Sequence, residues 1–152
     1  MRLAKYRLVA ERSLLAFRFI SHGPKGRIVK KVIFSEVNLK GVYNLSFGDL
    51  DPESGNIDDS VVSNNGDSEL VLGTVVATVY AFTNVYHSAQ VFATGSTTSR
   101  TRLYRIEITK YLTEIKKDFY ILGLGNDGWE EFKNGIEYRA FLVTRKKPNL
   151  DI

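Results

Sequence analysis

Cysteine is missing from all 152 residues, which removes disulfides, thiol nucleophiles and thiolate metal sites together. Histidine is nearly missing too. Only His22 and His87 occur, too few for a His-rich metal centre, so no metal and no other cofactor is expected. No apolar run approaches the length of a membrane span, and Arg12 and Arg18 break up the stretch that follows the basic start. A signal peptide is therefore not expected, and the reading is a cytoplasmic protein of bacterial type with no membrane partner. Two further absences concern charge. From Asp49 to Glu69 there is no Lys or Arg, and from Thr94 to Ile106 there is no Asp or Glu.

What is present describes one ordinary globular domain. A chain of this length buries a core without staples, and 43% hydrophobic with 25% charged residues is typical of such domains. Residues 1–147 are assigned to a single domain and 148–152 to a short C-terminal tail. The net charge of +4 conceals a strong segregation. Seven of the 17 acidic residues and none of the 21 basic ones fall between Asp49 and Glu69, so the rest of the chain carries a basic surplus of 11. A basic body with one acidic segment suits an anionic partner.

Leu14–Ile20 and Arg27–Glu36 are rich in strand formers and flank a Gly-Pro and Lys-Gly turn over Ser21–Gly26, which predicts a β-hairpin. Further strands are expected over Leu3–Val9, Val42–Phe47 and Ala89–Thr94. The acidic stretch, about residues 49–68, is expected to be a long loop. Glu69–Tyr86 is crowded with β-branched residues, yet Leu72, Val75, Val76, Val79, Phe82 and Tyr86 keep helical spacing. A strand of that length would be unusual, so a helix is expected, with Asp67 or Ser68 capping it. A second helix is expected from Thr98 to about Lys117. Tyr104, Ile108, Tyr111, Leu112 and Ile115 form its apolar stripe, with Leu103 and Ile106 completing the buried side. Phe119–Leu124 and Glu137–Arg145 read as final strands joined through Asn126–Gly135. The order β-β-β-(β)-α-β-α-β-β indicates an α+β domain, a largely antiparallel sheet of about six strands with two helices on one face.

The second acid-free stretch carries the chemistry. Gly95-Ser-Thr-Thr-Ser99 supplies a glycine for close approach and hydroxyls to donate, and a helix begins behind it with Arg100, Arg102 and Arg105. Helix N-termini carry partial positive charge, so three arginines there are unfavourable unless an anion meets them. Gly95, Ser96, Thr97, Arg100, Arg102 and Arg105 are the candidate anion-binding residues, with Lys25, Arg27, Lys30 and Lys31 as a secondary basic patch. Against this stands simple capping by Thr98 or Ser99, which needs no arginine. The spacing of a nucleotide-binding P-loop is absent. Glu107 or His22 is available as a base, and Trp129 with Tyr138 and Phe141 as a stacking surface, but the plainer readings are favoured: an ion pair for Glu107, a solvated turn for His22 and core packing for Phe141.

The blocks His22–Lys31, Ser63–Asp67, Gly95-Ser-Thr-x-x-Arg-Thr-Arg-Leu-Tyr-Arg105 and Gly135–Val143 together resemble a small, uncharacterised bacterial single-domain family. The resemblance spans nearly the whole chain and implies a cytosolic domain of unknown function. It carries over no catalytic residue. Three readings follow from the residues themselves. The first is RNA or other nucleic-acid binding through the arginine helix, as an accessory or toxin–antitoxin-type component. The second is a small-molecule enzyme or sensor holding a phosphorylated metabolite at Gly95–Arg102. The third is a protein-interaction module, in which carboxylates of a partner or of this chain's own Asp58 or Asp59 meet Arg100 or Arg102.

Overall fold

The computed structural model describes residues 3–58 and 65–147, and shows an α+β domain built on one mixed, mostly antiparallel sheet. Strands β1 (Val9–Ala10), β2 (Ala16–Gly23), β3 (Gly26–Glu36) and β4 (Val42–Leu50) follow one another in antiparallel order, with β5 (Ile57–Asp58) paired to the far end of β4. The chain then forms α1 (Ser68–Val85) and returns as β6 (Gln90–Ala93), which pairs with β4 in parallel. Helices α2 (Thr98–Lys110) and α3 (Leu112–Asp118) lead into β7 (Phe119–Gly125), β8 (Gly128–Glu131) and β9 (Phe141–Arg145). The sheet order is β1-β2-β3-β4-β6-β9-β7-β8.

Strand alternation assigns the two faces. Phe17 and Phe19 on β2, Val32 and Phe34 on β3, Leu45 and Phe47 on β4, Val91 on β6, Ile121 on β7 and Phe141 on β9 are buried on one side. They share a single core cluster with Val71, Leu72, Val75 and Phe82 of α1, Tyr104 of α2 and Ile115 of α3, so all three helices lie on that face. On the other side Tyr120 and Trp129 are exposed. Helix α1 is long and apolar enough, by length and composition, to cross a bilayer, and half of it is buried within this protein. Its Asp67 sits at the N-cap but makes no cap bond. The carboxylate instead accepts from the hydroxyls of Tyr6 (2.6 Å) and Ser21 (2.5 Å). Buried Asn65 joins this network, donating to Ser21 Oγ and Gly26 O and accepting from Lys25 N–H. That network clamps the β2–β3 turn to the start of α1.

Nine strands and three helices among the described residues exceed the expected six and two, and each difference has a local cause. The long helix breaks at Tyr111 (φ −109°, ψ 17°) into α2 and α3, yet the apolar stripe survives because both pieces face the same sheet. Strand β8 arises inside the expected connection because Asn126 and Asp127 form a hairpin turn closed by Gly128 at φ +107°. Of Leu3–Val9 only Val9 is in a strand, as the first residue of a short β1, and Glu137–Arg145 is a strand only from Phe141. Part of the acidic segment pairs as β5 instead of looping freely. Leu103 and Ile106 are exposed, and Glu107 takes a buried position on α2 instead.

Candidate anion-binding groove

Strand β6 ends at Ala93, and the chain leaves the sheet through Thr94–Thr97 to start α2. The hydroxyls along this loop are largely engaged in building it. Thr97 is the N-cap, its Oγ1 accepting from Arg100 N–H at 3.1 Å. Gly95 N–H donates to Thr101 Oγ1 (3.0 Å), and that hydroxyl donates to Thr97 O (3.1 Å). The Thr94 hydroxyl donates to Arg139 O at 2.8 Å, tying the loop to the segment before β9. Capping is therefore part of the reason for the Ser/Thr-rich sequence. Gly95 has a packing reason as well: a Cβ there would lie 2.5 Å from Thr101 N and 2.8 Å from the carbonyl carbon of Arg100. The first turn of α2 rests directly on it.

Beside this loop lies a groove of about 510 Å³. Gly95, Ser96 and Thr97 form one wall, Arg102 and Arg105 project from α2, and Arg139 and Asn126 close the far side. Arg102 meets Glu137 at 3.4 Å, with both side chains more than half exposed, so this bridge adds little stability. Arg105 donates to Ile136 O (3.4 Å) and Arg139 to Gly125 O (3.2 Å). A guanidinium has five N–H donors, so each arginine retains capacity for a ligand. Arg139 is not among the residues that the sequence singles out; the structure shows exposed Glu137 and Arg139 flanking buried Tyr138. Tyr138 is held because its ring lies over Gly123, where a Cβ would come within 2.5 Å of it. The packed ring presents its two charged neighbours to the groove.

Arg100 goes elsewhere. It is 8% exposed, and its guanidinium donates to Phe47 O at 3.0 Å while lying 5.1 Å from the centre of the Phe47 ring. The reason is a gap in the sheet. Beyond β3, β4 pairs with β6 over Val42–Leu45 and with β5 over Asp49–Leu50, and Arg100 reaches the carbonyl between them.

The secondary basic residues are divided by strand alternation. Lys25 and Arg27 are exposed at the β2–β3 turn. Lys30 points inward, 4% exposed, and pairs with Asp49 at 2.5 Å. Lys31 points to the opposite face and meets Glu11 at 3.5 Å. His22 is exposed beside Tyr6, and Phe141 and Tyr138 are core residues. Asp59 lies outside the described residues. Glu107 is buried on α2, and burial raises its carboxyl pKa above the ordinary 4.5, with Lys110 opposing and Glu69 adding. Because the folded pKa is the higher one, this carboxyl favours the folded state below about pH 4.5 and opposes it as it ionises above. No group of His, Asp or Glu suited to hold a metal occurs among the described residues.

A family model covers residues 2–146, and the chain belongs to that family of unknown function, DUF6934. No curated protein and no solved structure matches the chain.

Proposed function

We propose that this member of the family binds phosphate-bearing ligands in the groove beside α2, with single-stranded RNA as the first candidate. The observation that carries this reading is the convergence of Arg102, Arg105 and Arg139, from two separate segments, on one hydroxyl-lined groove containing a single carboxylate, Glu137. Planar guanidiniums suit phosphate oxygens, and they stay charged at every working pH. The β7–β8 hairpin that brings Asn126 to the groove carries Trp129 on the other face of the sheet, 44% exposed and edge-on to Phe92 at 6.1 Å, so its indole does not face the arginines.

Fluorescence anisotropy of a labelled single-stranded RNA of roughly ten nucleotides is expected to show binding at low salt. Affinity should fall as salt rises, by about 0.7 log unit per log unit of salt for each phosphate neutralised. Replacing Arg102, Arg105 and Arg139 together with alanine should flatten that slope by about 2. Absence of RNA and DNA binding at low salt would exclude the nucleic-acid reading.

The volume of the groove favours a second reading, a phosphorylated metabolite, because it lies within the range of about 300–1,000 Å³ usual for small-ligand sites. Thermal stabilisation by a nucleotide or sugar phosphate, lost in Arg102→Ala, would select it over RNA.

A further inference from the structure

A second groove lies toward the opposite end of the sheet, along the outer edge of β2. It measures about 470 Å³, with Val9, Phe19, Ile20 and Val29 as apolar lining, and its arginines are Arg7 and Arg18. No Asp or Glu lines it. The groove exists because β1 is short. Phe34 N–H donates to Leu15 O, so in the antiparallel register the odd-numbered residues of β2 bond to β3 and the even-numbered ones face the outer edge. β1 covers that edge only as far as Arg18, which lies opposite Val9. The chain before Val9 is drawn away, because Tyr6 N–H donates to Thr74 Oγ1 on α1 and the Tyr6 ring stacks on Phe19 at 6.0 Å. Further along the edge, the Tyr6 hydroxyl accepts from His22 N–H at 3.1 Å. Between these two points Ile20 turns its N–H and C=O to the groove, and among the described residues neither has a partner.

We infer that this groove holds an N-acyl amino acid, free or as the C-terminal residue of a peptide, paired with the backbone of Ile20 and with its carboxylate met by Arg7 and Arg18. An N–H and a C=O offered side by side by one strand residue are matched by the C=O and N–H of one residue opposite, as in a hydrogen-bonded antiparallel pair. The window is one residue wide, since Val9 already holds Arg18 and the Tyr6 hydroxyl already holds His22. A strand running through would meet both, whereas a chain end fits. In the register of β1 that end points toward Arg18, which places a terminal carboxylate at the arginines. Charge supports the same choice, because the groove carries two guanidiniums and no carboxylate of its own. The side chain of the bound residue falls on the face of Ile20 and Val29, so an apolar one is expected. The volume lies within the range of about 300–1,000 Å³ usual for small-ligand sites. This groove shares no residue with the one beside α2, so the inference is independent of the phosphate reading.

The probes are N-acetyl-leucine, its amide, which lacks the carboxylate, and N-acetyl-N-methyl-leucine, which lacks the amide N–H. N-acetyl-leucine is expected to bind with a Kd on the order of 1 mM or below by calorimetry. In NMR it should shift the Ile20 amide and slow its hydrogen exchange. The amide and the N-methyl compound should each bind on the order of tenfold more weakly. Arg18 is exposed, so Arg18→Gln should leave the melting temperature unchanged. It should weaken N-acetyl-leucine on the order of fivefold and leave the affinity for the amide as it was. An acetylated tetrapeptide ending in leucine separates the two sources. Tighter binding than N-acetyl-leucine assigns the groove to a peptide terminus, weaker binding to a free N-acyl amino acid, and either result supports the shared chemistry. Failure of both N-acetyl-leucine and the tetrapeptide to bind folded wild-type protein would overturn the proposal. Equal affinity for acid and amide would overturn it as well, as would binding that leaves the Ile20 amide unchanged.

Discussion

Arg100→Ala is expected to lower the melting temperature by about 9 °C. The substitution leaves the Phe47 carbonyl without its bond from Arg100 in a buried position, which costs about 1–3 kcal/mol. It also removes a guanidinium from the face of the Phe47 ring, worth about 0.5–2 kcal/mol, together with the packing of the aliphatic stem. A sum near 3 kcal/mol, at about 2–4 °C per kcal/mol for a domain of this size, gives the stated shift. Arg100→Lys should recover only part of it, because an ammonium lacks the planar fork that spans carbonyl and ring. Arg102→Ala provides the contrast. Its side chain is 54% exposed, so stability should change by less than about 0.5 kcal/mol while the salt dependence of RNA binding flattens. Thermal denaturation of the two variants side by side separates the roles. Equal melting temperatures would mean that Arg100 does not hold β4.

The contrast between these two arginines was partly legible in the sequence. The apolar stripe of α2 was traced from Tyr104 onward, and one turn back along the same face lies Arg100. Arg100, Tyr104 and Glu107 share the buried side at i, i+4 and i+7, while Arg102 falls off it. What the spacing did not convey was why a guanidinium belongs inside. That reason lies in the sheet: β5 and β6 leave the Phe47 carbonyl between them, and this pairing joins segments far apart in the chain. The β2–β3 hairpin was legible because its turn and alternation are local, and α1 because its length excluded a strand. Strand β8 is hard to read although Asp127-Gly128 is a strong hairpin signal, because only three strand residues follow Gly128. The groove was half legible. Its hydroxyl loop and Arg102 with Arg105 are adjacent in sequence, but Arg139 arrives through the packing of Tyr138 on Gly123, which no local pattern encodes.

Gly95→Ala is expected to destabilise the fold by about 3 kcal/mol and to weaken ligand binding without removing any charge. A methyl group there would stand 2.5 Å from Thr101 N and 2.8 Å from Arg100 Cβ, both parts of the first turn of α2. Overpacking of this kind costs about 1–3 kcal/mol when the neighbour must shift. The neighbour here also carries the bond from Arg100 to Phe47 O, so the shift strains a second contact and puts the total at the upper end. Displacing the start of α2 moves Arg102 and Arg105 relative to Arg139, which stays with the β9 segment through the Thr94 and Gly125 bonds. RNA affinity should therefore fall at every salt concentration while the slope against salt stays near that of the wild type, the reverse of the pattern expected for Arg102→Ala. Melting curves and salt titrations on the two variants read out both quantities. A Gly95→Ala protein with wild-type stability would show that loop and helix separate without cost. The glycine would then have to be explained by the approach of a ligand to its backbone instead of by the approach of the helix.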